Sequence, residues 1–204
     1  MYLAGVLVLG AWFKPSYAFA FVPAYGLLAL TRTRWRPAAL LAWLWPLLPV
    51  LLFIAGQSWW IAIHPEANGN GSSFALAFPA GWRMLRPEYT AEQTWLAFGT
   101  SFGVPIVAYV LQPGWLRRPS HQLALLSTVV AFTQFMLVHE EGDRAGHGNF
   151  IWQVVAANHV LYWVILHDAL SALMHRQTRL GWVRLLLLLL ALAACVGSAG
   201  VYLD

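Results

Sequence analysis

Charged residues are scarce in this chain, and their scarcity narrows the class of protein. Only 10% of the 204 residues are Asp, Glu, Lys or Arg, whereas 60% are hydrophobic. A soluble domain of this length could not bury so much apolar surface in one core. The composition therefore argues against an ordinary soluble domain and predicts a protein that crosses a membrane several times.

Cysteine is nearly absent, and we expect no cleavable leader. The single Cys195 cannot form an intrachain disulfide. The apolar segment Met1–Phe13 has no charged start and is followed by Lys14-Pro15 rather than by small residues, so it does not match a signal peptide. Its short length predicts that the chain is the C-terminal portion of a longer protein. The net charge of +4 does not indicate a nucleic-acid partner, because the basic residues flank apolar segments.

Long apolar runs predict an all-α fold, a polytopic transmembrane helical bundle of about six spans in one domain, residues 1–204. After a proline break at Lys14-Pro15, the predicted spans are Tyr17–Thr31, Pro37–Gly56, Glu92–Leu111, Gln122–Val138, Phe150–Leu173 and Val183–Leu203. Proline lacks the amide donor that a helix uses, so we expect Pro46 and Pro49 to distort the second span.

Arginine and acidic residues alternate between successive loops, which predicts the orientation of the spans. One set of loops contains Arg32, Arg34, Arg36, Arg117, Arg118, Arg176, Arg179 and Arg184, and the other contains Glu66, Glu88, Glu92, Glu140, Glu141 and Asp143. The arginine-rich set should face the cytoplasm. Lys14, the long loop Gln57–Glu92 and the polar loop His139–Trp152 should then share the outer face. Aromatic residues between Ser73 and Leu85 predict that this part of the long loop lies in the membrane interface.

The polar loop His139–Trp152 contains the residue types that sugar transfer from a phosphate-linked donor would need. The predicted catalytic residues are Glu140, Glu141 and Asp143. Mutual repulsion should keep at least one of these carboxyl groups from ionising, and such a group could act as a general base. The predicted substrate-binding residues are Lys14, Arg144, His147, Asn149, Trp152 and His159. The basic members could neutralise a phosphate, whereas Asn149 and Trp152 could bind and stack on a sugar ring.

Other interpretations of these residues stay open. A short loop between spans needs charged residues and glycines merely to remain in water, and Lys14 could be an interfacial anchor. A divalent metal could bind His139, Glu141, Asp143 and His147, although their spacing matches no zinc motif, so no cofactor is expected. Asn158 and His159, near the middle of the fifth span, could form helix-to-helix hydrogen bonds or a transporter site. His167 and Asp168 lie nearer the cytoplasmic end of that span.

Two stretches carry a family resemblance. They are Lys14-Pro15-Ser16-Tyr17-Ala18 with Phe21-Val22-Pro23-Ala24, and the Glu-Gly-x-Arg-x-x-His-Gly-Asn-Phe run from Glu141 to Phe150. Both resemble multi-span bacterial enzymes of cell-surface polysaccharide synthesis, the polyprenyl-phosphate-sugar-dependent glycosyltransferases with a GT-C-type fold.

The resemblance implies a glycosyltransferase-like protein of the bacterial inner membrane. It would act in the assembly of envelope polysaccharide or lipid-linked glycan, with membrane lipid, a polyprenyl-phosphate sugar donor and other subunits as partners. Such enzymes carry a carboxylate in their first outer loop, and nothing upstream of Lys14 supplies one. The alternative is a non-enzymatic membrane subunit, or a transporter whose outer loops bind a partner or solute.

Overall fold

A computed structural model gives the fold and describes residues 15–63, 73–76, 91–141 and 149–174, with four isolated positions between 182 and 193. Within these ranges the chain is predominantly helical, which confirms the predicted class. The predicted sixth span, Val183–Leu203, lies outside the continuous described ranges. The elements, in chain order, are α1 Pro15–Thr33, α2 Pro37–Leu44, α3 Leu48–Ile63, β1 Ser73–Leu76, α4 Ala91–Leu111, α5 Pro119–Leu137, β2 Val138–Glu141 and α6 Asn149–Met174.

Proline interrupts the second predicted span, as expected. A 3-10 turn, Trp45–Leu47, contains Pro46 and separates α2 from α3. The two helices and this turn still form one continuous apolar path, Pro37–Trp60, of 24 residues. At 1.5 Å per residue such a path is about 36 Å long, enough to cross the hydrocarbon core of a bilayer.

Two described stretches are long and apolar enough to cross a membrane, Pro37–Trp60 and Trp152–Ala172. The core helix of a soluble protein would meet the same criterion, but it would be mostly buried. Only 11% of the first stretch and 28% of the second are buried within the protein. Leu52 and Trp59, for example, are largely exposed. Exposed apolar surface of this extent favours contact with lipid, whereas the count of six spans remains a prediction.

The chain divides into two compact units, of which the first comprises residues 1–85 and 125–157. Its centre is a contact among three fully buried alanines, Ala20 of α1, Ala131 of α5 and Ala157 of α6. Small side chains allow helix backbones to approach closely. Such close packing is how helices associate in a membrane, where the hydrophobic effect does not drive helices together. Tyr17 and Val154 pack around this contact.

The first unit also contains a pair of antiparallel strands. Ser73 pairs with Glu141 and Leu76 pairs with Val138. These strands of four residues each are the one departure from the all-helical prediction in the described ranges. They lie in the two segments that were predicted to be loops, so the pairing replaces irregular chain with backbone hydrogen bonds.

The second unit comprises residues 86–124 and 158–204. Leu161, Ile165 and Ala169 form a buried stripe along α6, at the spacing of four residues that keeps side chains on one helix face. On α4, Val104 and Ala108 are buried as well. The turn Pro113–Arg117 connects α4 to α5 and buries its Trp115.

Candidate functional site

The pairing of β1 with β2 brings together two loops that lie far apart in the sequence. The backbone of His139 is opposite Ala75, and that of Glu140 is opposite Phe74. The long loop and the polar loop were predicted to share one membrane face; the structure pairs them, and the membrane face stays a prediction. The strands therefore fix the start of the polar loop, including two of its three predicted catalytic carboxylate residues.

The structure brings together only part of the predicted site. Lys14, Asp143, Arg144 and His147 lie outside the described residues, so their convergence with the paired strands stays a prediction. The same holds for the predicted metal site, which includes Asp143 and His147. Within the described part of the chain, no group of three or more His, Cys, Asp or Glu side chains is placed to hold a metal ion.

The remaining predicted residues lie on α6. Asn149 is the first residue of this helix and Trp152 follows within its first turn, so neither belongs to an extended loop. The Trp152 side chain is half exposed. His159 is exposed too, but it belongs to the second unit whereas Trp152 belongs to the first.

The second unit contains a polar cluster that was not predicted from the sequence. We call it the Asp168 cluster; its members are Tyr109, Arg118, His121, His167 and Asp168. The carboxylate of Asp168 accepts a hydrogen bond from the Arg118 guanidinium. The oxygen that accepts this bond, Oδ2, also lies 2.9 Å from His121 Nε2. Its other oxygen, Oδ1, lies 3.0 Å from His167 Nδ1.

His121 is the buried centre of this cluster. Its side chain is 0% exposed, whereas that of Asp168 is 12% exposed. The His121 ring stacks on Trp115, with centroids 5.2 Å apart. Its Nδ1 lies 3.2 Å from the Tyr109 hydroxyl. Both ring nitrogens therefore have partners, as a buried polar group requires.

The hydrogen bonds of His121 assign roles to its two nitrogens. If Nε2 carries the proton and donates to the Asp168 carboxylate, then Nδ1 accepts from the Tyr109 hydroxyl. A protonated ring would donate at both positions and turn the Tyr109 oxygen into an acceptor. The chain Tyr109–His121–Asp168 can thus hold one additional proton without breaking a contact, which is the chemistry of a proton relay.

An open groove of about 590 Å³ lies beside the Asp168 cluster. Its lining is mostly apolar, with Trp163, Val164 and Leu170 of α6. Polar groups come from Ser120 at the start of α5 and from His167 and Asp168. The groove lies entirely within the second unit.

A signal for this cluster was present in the sequence. Asp168 is an ionisable residue inside a predicted span, and such residues mark sites. Arg118 and His121 stand at the start of the preceding span. Because consecutive spans run in opposite directions, the start of the fourth and the end of the fifth are expected at one membrane end. Combining these positions would have predicted the cluster.

Comparison with protein-family models, with curated proteins and with solved structures finds no match to this chain.

Proposed function

We propose that this chain is a multi-pass protein of the bacterial inner membrane that takes part in envelope polysaccharide or lipid-linked glycan assembly. It would use a sugar donor linked to a lipid phosphate, with its site on the outer face. The observation that best supports this is the pairing of β1 with β2, because it holds Glu140 and Glu141 against the long loop that would share the site. The resemblance of Glu141–Phe150 to polysaccharide-synthesis enzymes supports the same reading.

The proposed mechanism assigns complementary roles to the polar loop. A carboxylate of Glu140, Glu141 or Asp143 removes the proton from the acceptor hydroxyl, whose oxygen attacks the sugar as its bond to phosphate breaks. Arg144 neutralises the departing phosphate through two parallel hydrogen bonds, with help from Lys14 and His147. Asn149 and Trp152, at the start of α6, bind the sugar ring.

The test separates donor binding from transfer. A polyprenyl phosphate bearing a photoreactive diazirine is the binding probe, and transfer of radiolabelled hexose from a polyprenyl-phosphate donor is the activity measurement, both in proteoliposomes. Arg144→Ala should lose most of the photolabelling, whereas Glu141→Gln should keep it and lose transfer. Arg36→Ala, in a loop predicted to face the cytoplasm, is the control and should change neither. Full labelling and full transfer in both loop variants would remove the polar loop from the site.

The Asp168 cluster favours a second candidate, proton-coupled transport. The fully buried His121 is joined to the Tyr109 hydroxyl and to Asp168, which belongs to the candidate span Trp152–Ala172, an arrangement that suits proton relay. A pH-sensitive dye inside proteoliposomes would report proton movement, and His121→Gln should abolish it if this function is correct. Under the glycan-assembly proposal, no proton movement is expected from the wild-type protein.

A further inference from the structure

The groove beside the Asp168 cluster combines an apolar lining with basic groups, and this combination suggests a ligand. Trp163, Val164 and Leu170 present apolar surface, and Trp163 is largely exposed. Because α6 contains a candidate membrane span, this surface is expected to face lipid chains rather than water. An acyl chain is therefore the apolar partner that the groove suits.

Two basic side chains at the groove retain donors for an anion: His167 is part of its lining, and Arg118 pairs with Asp168 of that lining. Arg118 is 55% exposed and donates one hydrogen bond, through Nη1, to Asp168. A guanidinium carries five N–H donors, so one such bond leaves others for a second acceptor. His167 is 76% exposed and approaches Asp168 through Nδ1. Its Nε2 has no hydrogen-bond partner among the described residues, and the residue lines the groove.

Asp168 also lines the groove, and an uncompensated carboxylate there would repel a bound anion. The Asp168 carboxylate is only 12% exposed and already faces three donors, Arg118, His121 and His167. Its charge is thus largely compensated. The groove therefore offers the donors of Arg118 and His167 to an anion, while its own carboxylate is already hydrogen-bonded.

We propose that this groove binds an anionic glycerophospholipid. The acyl chain lies along Trp163, Val164 and Leu170, while the headgroup phosphate is held by Arg118 and His167, with the Ser120 hydroxyl available as a donor. Basic pockets between helices at the cytoplasmic end of a bundle recognise lipid headgroups in this way. The proposal does not depend on glycan assembly or on proton transport, since it concerns a lipid that stays bound.

Native mass spectrometry of the full chain in detergent tests the proposal directly. The probes are dioleoyl phosphatidylglycerol and dioleoyl phosphatidylcholine, which have the same acyl chains. We expect phosphatidylglycerol to bind about fivefold more tightly, the ratio given by about one basic contact. Equal affinities for the two lipids would overturn the proposal.

Two substitutions of exposed residues by glutamate locate the site. His167→Glu places a carboxylate in the groove and should remove the preference for phosphatidylglycerol, and its high exposure makes loss of folding unexpected. Arg36→Glu changes the net charge at least as much in the turn between α1 and α2, and it should keep the preference. If both variants lose the preference equally, bulk surface charge explains the binding and the groove is not the site.

The acyl chain can be located separately. Phosphatidylglycerol with brominated acyl chains quenches nearby tryptophan fluorescence, and Trp163 lines the groove. Trp163→Phe should reduce the quenched fraction, whereas Trp35→Phe, in the turn before α2, should not. An unchanged quenched fraction in Trp163→Phe would contradict the proposed path of the chain.

Discussion

Helices α5 and α6 make contact in both units, and the two contacts differ in kind. In the first unit they meet through Ala131 and Ala157, which carry no polar group and are fully buried. In the second unit they meet through His121 and Asp168, whose contact depends on hydrogen bonds and charge. The first contact should therefore be sensitive to volume and the second to polarity. Substitutions that change the volume at the alanine contact or the polarity at the His121–Asp168 contact test this difference.

The largest effect is expected at Asp168. Asp168→Leu keeps the approximate volume but leaves the buried His121 Nε2 without an acceptor and Arg118 without its ion pair. Since Arg118 is more than half exposed, water replaces much of that pair. We expect a loss of about 2–3 kcal/mol in the free energy of unfolding, measured by denaturant titration in micelles.

Two matched variants control the Asp168 experiment. Asp168→Asn keeps one acceptor oxygen and should cost less than Asp168→Leu. His167→Ala removes a mostly exposed partner and should change stability by less than about 0.5 kcal/mol. If Asp168→Leu were as stable as wild type, polarity would not hold this contact together.

A smaller effect is expected at Ala131. Ala131→Leu inserts an isobutyl group where three helices touch, so it should cost about 1–3 kcal/mol by overpacking. Val129→Leu, on the exposed face of the same helix, adds one methylene group and should be nearly neutral. Unfolding of both variants under the same conditions gives the comparison. A neutral Ala131→Leu would mean that the alanine contact is loosely packed.

The smallest effect is expected at Gln153, and its sign is opposite. The side chain is almost fully buried, and its Oε1 has no hydrogen-bond partner among the described residues. Gln153→Leu removes this unsatisfied acceptor at similar volume and should stabilise the protein by about 1 kcal/mol. Gln134→Leu is the comparison: it also removes a buried Oε1 that has no partner among the described residues, but it breaks the bond of 3.0 Å from Gln134 Nε2 to the Phe19 carbonyl, so it should stabilise less. Destabilisation by Gln153→Leu would indicate a polar partner for Oε1.

The sequence predicted the elements better than it predicted their contacts. Apolar length located each helix from α1 to α6, and Pro46 predicted the interruption between α2 and α3. The alanine contact could not be predicted, because nearly every position of these helices is apolar. Where lipid and protein neighbours are both apolar, periodicity does not separate the face that packs against another helix from the face in lipid.

The paired strands and the Asp168 cluster were also predicted only in part. Alternation of arginine with acidic residues predicted that the long loop and the polar loop would lie on one membrane face, and β1 and β2 bring the two loops into contact. Their pairing as strands was not predicted, since Val138–Glu141 has four residues and no alternating pattern. His121 was not among the predicted site residues, because it lies one residue before the predicted fourth span; in the structure it is buried and contacts Trp115 and Tyr109.

The pairing of β1 with β2 has a consequence for biosynthesis. Leu76 emerges from the ribosome 62 positions before its partner Val138. At roughly 5–20 residues per second, β1 waits on the order of 3 to 12 seconds before β2 exists. During that interval its backbone donors and acceptors are satisfied by water or by a chaperone rather than by the native neighbour. A slow codon stretch ahead of β2 would lengthen the interval and expose the nascent chain to mispairing.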